Sequence, residues 1–160
     1  MVDHDPVKTL LEKIEKAGVA MLASTDAGGR IVSRPMAIQE IESDHTIWFI
    51  TRVSTPKIGE MSGSQPVNVS VAEKGFWASI TGTATVEGDV ERKKRYWSKA
   101  TEAFFGDSTP EDPDIVLLKV DPDSGEYWDS PGLPATAVEV VKGLVGDRPA
   151  RPGENTTVDL

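Results

Sequence analysis

The chain has 160 residues, 38% hydrophobic and 27% charged, the balance of one ordinary globular domain long enough to bury a core without covalent staples. With no cysteine, disulfide scaffolds, zinc–thiolate sites, iron–sulfur clusters and thiol catalysis are excluded. Seventeen Lys and Arg against 26 Asp and Glu leave a net charge of −9, which repels nucleic-acid backbones and anionic membranes, so an anionic ligand needs a local cluster of cations.

The first residues, Met1-Val-Asp-His-Asp-Pro6, lack a basic-then-apolar layout, and no apolar run approaches the ~20 residues of a bilayer span. The expectation is a cytoplasmic protein without membrane or nucleic-acid partners. His4 and His45 are the only histidines and lie far apart, which gives a two-histidine metal site or a Ser-His-Asp triad no support.

Asp5 before Pro6 reads as an N-cap, and Val7, Leu10, Leu11 and Ile14 repeat along one helix face up to a stop at Gly18. Val19 to Thr25 is apolar, too short for a second helix and followed by Asp26-Ala-Gly-Gly-Arg30, so it predicts a buried strand and a hairpin turn. Arg30 to Ile41 is strand-like, but Pro35 cannot donate to a ladder and marks an edge, a bulge or a close approach. A turn at Glu42-Ser-Asp-His45 leads into Thr46 to Thr51, whose β-branched and aromatic residues complete an antiparallel meander. Ser54 or Thr55 before Pro56 reads as the start of a short helix ending near Gly63. Val67 to Val71 alternates with period two, Glu73-Lys-Gly75 turns, and Phe76 to Glu87 is a long strand interrupted at Gly82.

Asp89 then caps one helix from Val90 to about Phe105, with Tyr96, Trp97, Phe104 and Phe105 as a packed face and Arg92-Lys-Lys-Arg95 as a solvated one. After a proline- and acid-rich loop, Ile115 to Val120 is a sixth strand, and Asp121-Pro-Asp-Ser-Gly125 predicts a tight turn into a final hairpin at Glu126 to Asp129. Thr136 to Val145 reads as a last short helix, and residues 146–160 as a flexible tail beyond a domain of residues 1–145. The fold expected is mainly β (α+β): six antiparallel strands closing into a small barrel with flanking helices, which leaves no long exposed edge.

No carboxylate pair, nucleophile–base pair or dinucleotide fingerprint stands out, since Gly28-Gly29 opens a strand instead of a helix. One segment points to a ligand. Ile50 to Lys57 passes from a strand end into a helix start bearing Ser54, Thr55 and Lys57, and free N–H groups, a helix dipole and an ammonium suit a phosphate. The same residues also read as an ordinary cap and a solvent-facing lysine. Arg34 is either a second cation for that phosphate or a surface arginine. Trp48, Trp77, Trp97 and Trp128 have flat faces that fill a core or wall a planar aromatic ligand.

Ser33-Arg-Pro-Met36, Ile47-Trp-Phe-Ile-Thr51, Ser54-x-x-Lys57, Ile80-Thr-Gly-Thr-Ala84 and Tyr127-Trp-Asp129, in this order and spacing, resemble the pyridoxamine 5′-phosphate oxidase-like flavin-binding split barrels, general stress protein branch. That resemblance implies a six-stranded split barrel that forms a homodimer with FMN at the subunit interface. By position, Arg34 looks like the family's arginine for the flavin phosphate, Pro35 and Met36 back the isoalloxazine ring, and Ile50 and Thr51 meet the ring edge. Ser54, Thr55 and Lys57 match the phosphate turn, and Trp77 and Trp128 match positions from which the partner subunit closes the site. FAD and the deazaflavin F420 are the alternative cofactors, although F420 would want more cations than Arg34, Arg52 and Lys57 provide.

Two departures bear on activity. The phosphate turn reads Thr55-Pro-Lys57 where the family usually has Ser-Arg-Lys, and Trp128 leads into Asp129-Ser-Pro-Gly132 without the arginine and histidine that grip the substrate; Arg148 and Arg151 come too late. Oxidation of pyridoxamine phosphate is therefore not expected. The reading is a stress-related flavoprotein of oxidoreductase type exchanging electrons with a small-molecule donor and acceptor, or else a flavin-binding module without turnover. No residue is nominated as catalytic.

Overall fold

In a computed structural model, which describes residues 5–54, 63–129 and 154–160, Asp5 caps helix α1 (Pro6–Ala17) by accepting from the amides of Val7 and Lys8, and Gly18 ends it in the left-handed conformation. The strands are β1 (Val19–Thr25), β2 (Ile31–Ile41), β3 (Ile47–Arg52), β4 (Ser64–Glu73), β5 (Phe76–Glu87), β6 (Ile115–Asp129) and β7 (Glu154–Asp159), with α2 (Val90–Tyr96) and α3 (Lys99–Phe105) between β5 and β6. All pairings are antiparallel. The order is β3-β2-β1-β4-β5-β6-β7, and β3 also pairs with β6, so the first six strands close a barrel and β7 lies outside it on β6. No helix of the described residues is long and apolar enough to cross a membrane.

Alternation fixes which side chains enter the barrel. On β5, Phe76, Ala78 and Ile80 are buried while Trp77 and Thr81 are exposed. The interior brings these together with Leu22, Phe49, Val69, Leu118 and Val120, and α1 adds Leu10, Leu11 and Ile14. Two runs do not alternate: Ile47-Trp-Phe and Ile115-Val-Leu-Leu are buried throughout. Both faces are covered there, since Phe49, Val116 and Leu118 belong to the interior cluster while, on the other face, Arg92 of α2 lies over Trp48 and Lys93 reaches the Ile115 carbonyl.

Five expectations are corrected. The helix expected over residues 90–105 is two, because Ser98 caps α3 by accepting from the Thr101 amide and Trp97 is already extended. Two of its four cations leave the solvated face, on which Lys94 and Arg95 remain: Lys93 is buried, its ammonium donating to the carbonyls of Ile115 (2.8 Å) and Asp112 (3.3 Å), while Arg92 lies 4.0 Å over the Trp48 ring. Phe104, expected in the packed face, is 80% exposed.

The hairpin expected at Asp121–Gly125 is instead the middle of the continuous strand β6. Its turn-forming residues are absorbed by a bulge: Thr81 pairs with Ser124 and Gly82 with Pro122, leaving Asp123 over. Pro122 is tolerated because β3 pairs only as far as Val120 and β7 begins at Ser124, so its missing N–H falls between two neighbours. Gly82 is required by the close approach, since a Cβ there would stand 2.5 Å from the Asp121 carbonyl oxygen.

The tail expected over 146–160 is ordered at its end. Residues 154–159 form β7, Val158 is buried and the Leu160 amide donates to the Asp123 carbonyl at 3.1 Å. A sparse apolar composition does not prevent order where a neighbouring strand offers a full ladder. The helix expected at 136–145 and the segment 146–153 lie outside the described residues, as does most of the helix expected from Ser54 to Gly63.

Candidate functional site

The β2–β3 ladder runs from Ile41↔Ile47 to Ile38↔Phe49 and stops, although both strands continue. Between the parting strands opens a cavity of about 490 Å³. Pro35, Met36 and Ala37 line its β2 side, Ile50 and Thr51 its β3 side, and Ser98, Ala100, Thr101, Phe104 and Phe105 of α3 form the opposite wall, with Val19 and Gln39 at the margins. Pro35 pairs with Met21 of β1 on one side and faces this split on the other, so of the three readings open for it the edge is correct.

The lining is apolar with a few hydroxyls and one amide, and none of its described side chains is ionisable. Two of the hydroxyls are already directed: Ser98 and Thr101 bond each other at 3.0 Å, and Thr101 Oγ1 donates to the Tyr96 carbonyl. The α3 wall is held by aromatic contacts, with Trp97 stacked on Phe105 at 5.7 Å and Phe104 edge-on to Phe105 at 5.1 Å. On the other side of α2, Glu40 accepts from the Tyr96 hydroxyl, Arg92 (3.1 Å) and Arg95 (3.2 Å). Burial, then the adjoining Glu40 carboxylate, pushes the Tyr96 phenol above its ordinary value.

Four of the ten expected site residues, Pro35, Met36, Ile50 and Thr51, thus meet in one cavity. Arg34 shares the inward face of β2 with Met36 and donates to Ser24 Oγ at 3.0 Å, at the barrel end where β3 runs out. Among the described residues Ser54 turns to Asp114. Its amide and its hydroxyl both donate to Asp114, each at 2.9 Å, and these two donors, followed by Arg52, hold the Asp114 carboxyl below its ordinary range. Thr55 and Lys57 lie outside the described residues.

The tryptophans divide. Trp48 is buried, its indole N–H on Glu42, and Trp97 belongs to the α3 wall. Trp77 and Trp128 are directly opposed across β5 and β6, 46% and 38% exposed on the outer face, and line no part of the cavity in their own chain. What sequence reasoning missed is the α3 wall and Asp114. The signal for α3 was present in Ser98, a cap residue inside an apparently continuous helix; Asp114 had none, being one acid in an acidic loop.

The comparisons with known proteins follow this geometry. A solved structure of a candidate general stress protein 26 from Jannaschia sp. CCS1 superposes with a TM-score of 0.74 at 31% identity, over 98% of this chain and 99% of that one. The general stress FMN/FAD binding protein of Xanthomonas citri gives 0.62 at 27% identity, over 76% and 89%. Protein bli-3 of Neurospora crassa is 26% identical over 143 residues, 82% of this chain and 68% of that protein. The sequence model described as Pyridoxamine 5′-phosphate oxidase like matches residues 5–149. A match of that extent makes the chain a member of the pyridoxamine 5′-phosphate oxidase-like family.

Proposed function

We propose that the protein binds FMN, with the isoalloxazine ring in the β2–β3 split, and acts as a flavin-dependent oxidoreductase. The observation that carries this reading is the split itself: two strand edges and an aromatic helix wall bound a space of about 490 Å³, within the range of small-ligand pockets. Such a slot suits a flat aromatic ring whose rim carries hydrogen-bonding groups. Pro35 and Met36 would back the ring, and the backbone and hydroxyl of Thr51 and the Gln39 amide would meet its edge. Arg34 would serve the phosphate with Thr55 and Lys57, the positions that match the family's turn. The Xanthomonas citri relative, described as binding FMN or FAD, supports a flavin. A bound flavin would supply the electron chemistry, which fits a cavity whose described lining has no acid or base.

The working unit is proposed to be a cytoplasmic homodimer. Val19 and Met21 of β1 are 53% and 40% exposed, and with Trp77 and Trp128 they leave an apolar outer face that reaches the cavity at Val19. A second copy seated there would cover the cavity mouth, the arrangement in which Trp77 and Trp128 close the partner's site.

The same lack of ionisable lining favours a second reading, a flavin carrier without turnover of its own. Titration of the purified protein with FMN, FAD and F420 tests the cofactor, and light scattering the assembly. Mixing the FMN-loaded protein with NADH or NADPH separates the two readings, since a reductase bleaches faster than free FMN and a carrier does not. Failure to bind any flavin would refute both.

A further inference from the structure

One of the donors first suspected of holding an anion, Ser54, already holds one that belongs to the chain itself. Asp114 Oδ1 accepts the Ser54 amide at 2.9 Å, and Oδ2 accepts the Ser54 hydroxyl at 2.9 Å and Arg52 Nη1 at 3.1 Å. A serine hydroxyl has one proton to give, so while this clasp is closed Ser54 has no donor left for a ligand phosphate. Arg52 carries the connection further. Its Nη2 donates to the Phe105 carbonyl (2.6 Å) and to Ser108 Oγ (3.0 Å), and its guanidinium lies 5.2 Å from the centre of the Phe105 ring. Phe105 and Thr51 face the same cavity from opposite walls. One carboxylate therefore ties the exit of β3, just before Thr55, to the end of α3.

We infer that Asp114 is a positioning residue for the flavin cavity, fixing the end of β3 beside Thr51 through Ser54 and, through Arg52, the α3 wall at Phe105, and that Ser54 acts only through Asp114. The inference rests on the FMN reading above and deepens it. The opposing view makes Asp114 a competitor that occupies the phosphate's place. The two differ in sign: removing a positioning carboxylate weakens FMN binding, whereas removing a competitor strengthens it.

The test is a double-mutant cycle on FMN and riboflavin affinity, read by quenching of flavin fluorescence, with melting curves as the control for folding. Asp114→Ala is expected to weaken FMN binding about tenfold or more, the scale of one charge-assisted hydrogen bond, and riboflavin binding with it, because both flavins carry the ring that Thr51 and Phe105 enclose. Ser54→Ala is expected to weaken FMN binding in the wild-type background and to add nothing in Asp114→Ala. Asp114→Asn, which retains one acceptor, replaces the alanine variant in the cycle if that one does not fold. Unchanged or tighter FMN binding in the Asp114 variants overturns the inference, as does an undiminished Ser54→Ala loss in their background or a loss for FMN with riboflavin unchanged. A wild-type protein that binds neither flavin overturns the FMN reading itself, and the inference with it.

Discussion

The barrel interior and the α2–α3 cover are both buried against the same two strands, yet they are held by different forces. Inside, the packed cluster is apolar throughout, from Leu10 and Leu22 to Phe49, Ile80 and Leu118. Outside, a thin apolar layer of Trp48, Ile115, Leu117 and Phe105 is fastened by cations: Lys93 on two carbonyls, Arg92 on Glu40 and Glu42, and Arg52 on Asp114. Burial of area is non-directional and holds the barrel as a whole, whereas directed bonds fix the cover at particular points. The candidate cavity lies along the seam, one wall belonging to each.

The comparison breaks most severely from inside. Phe49 is fully buried, and Phe49→Ala should cost about 3–5 kcal/mol through lost transfer free energy and a residual cavity. Chemical denaturation followed by tryptophan fluorescence should show the whole chain unfolding earlier in one transition, and a loss confined to α2–α3 would contradict the single-core account. Overpacking comes next. A Cβ on Gly125 would stand 2.7 Å from Leu10 Cδ2 and 3.3 Å from Ile80 Cγ1, so Gly125→Ala should cost about 1–2 kcal/mol, with the Leu10 side chain pushed aside. Truncating Leu10 in the same chain should recover part of that loss, a compensation that thermal melting can measure.

The cover should fail more locally. Lys93→Met preserves the apolar stem and removes the ammonium, leaving the carbonyls of Asp112 and Ile115 without its hydrogen bonds, at a cost of about 1–2 kcal/mol. Hydrogen exchange should accelerate in α2 and the loop before β6, with the amides of β4 and β5 unchanged. Equal acceleration in both regions would mean that cover and barrel are one cooperative unit.

The same contrast explains what could be read from the sequence. Barrel strands announce themselves because alternation at β5 and unbroken apolar runs at β3 and β6 follow from burial on one face or two. The fastening of the cover is not periodic. Lys93 sits among four consecutive cations, and nothing in that run says which of them turns inward. Pro122 and Gly125 are turn residues by composition, but β6 runs straight through them, the ends of two neighbouring strands making room for a bulge. In the candidate site, Pro35, Met36, Ile50 and Thr51 were reached through the family resemblance and not through periodicity, and the α3 wall was not legible, since it reaches the cavity only through the break that Ser98 introduces.

Titration gives the smallest and sharpest separation. Asp26 and Asp44 on hairpin turns and Asp114 in the clasp all ionise more readily when folded, chiefly because each accepts a backbone amide, from Arg30, Thr46 and Ser54 respectively. A carboxylate depressed in the folded state favours folding at pH above its unfolded value near 3.9, and that contribution fades as the pH falls through the lower folded values. Tyr96 in the cover is shifted the opposite way, upward, by burial and then by Glu40. The unfolded phenol therefore ionises first, and stability drops once the pH rises past about 10. The interior cluster holds no carboxylate, so the acid limb is set outside it. A stability profile of Tyr96→Phe should accordingly lose part of its alkaline slope while keeping the acid limb, and Asp114→Asn should do the reverse; a variant of either kind that moves both limbs would show that turns, clasp and cover titrate as one network.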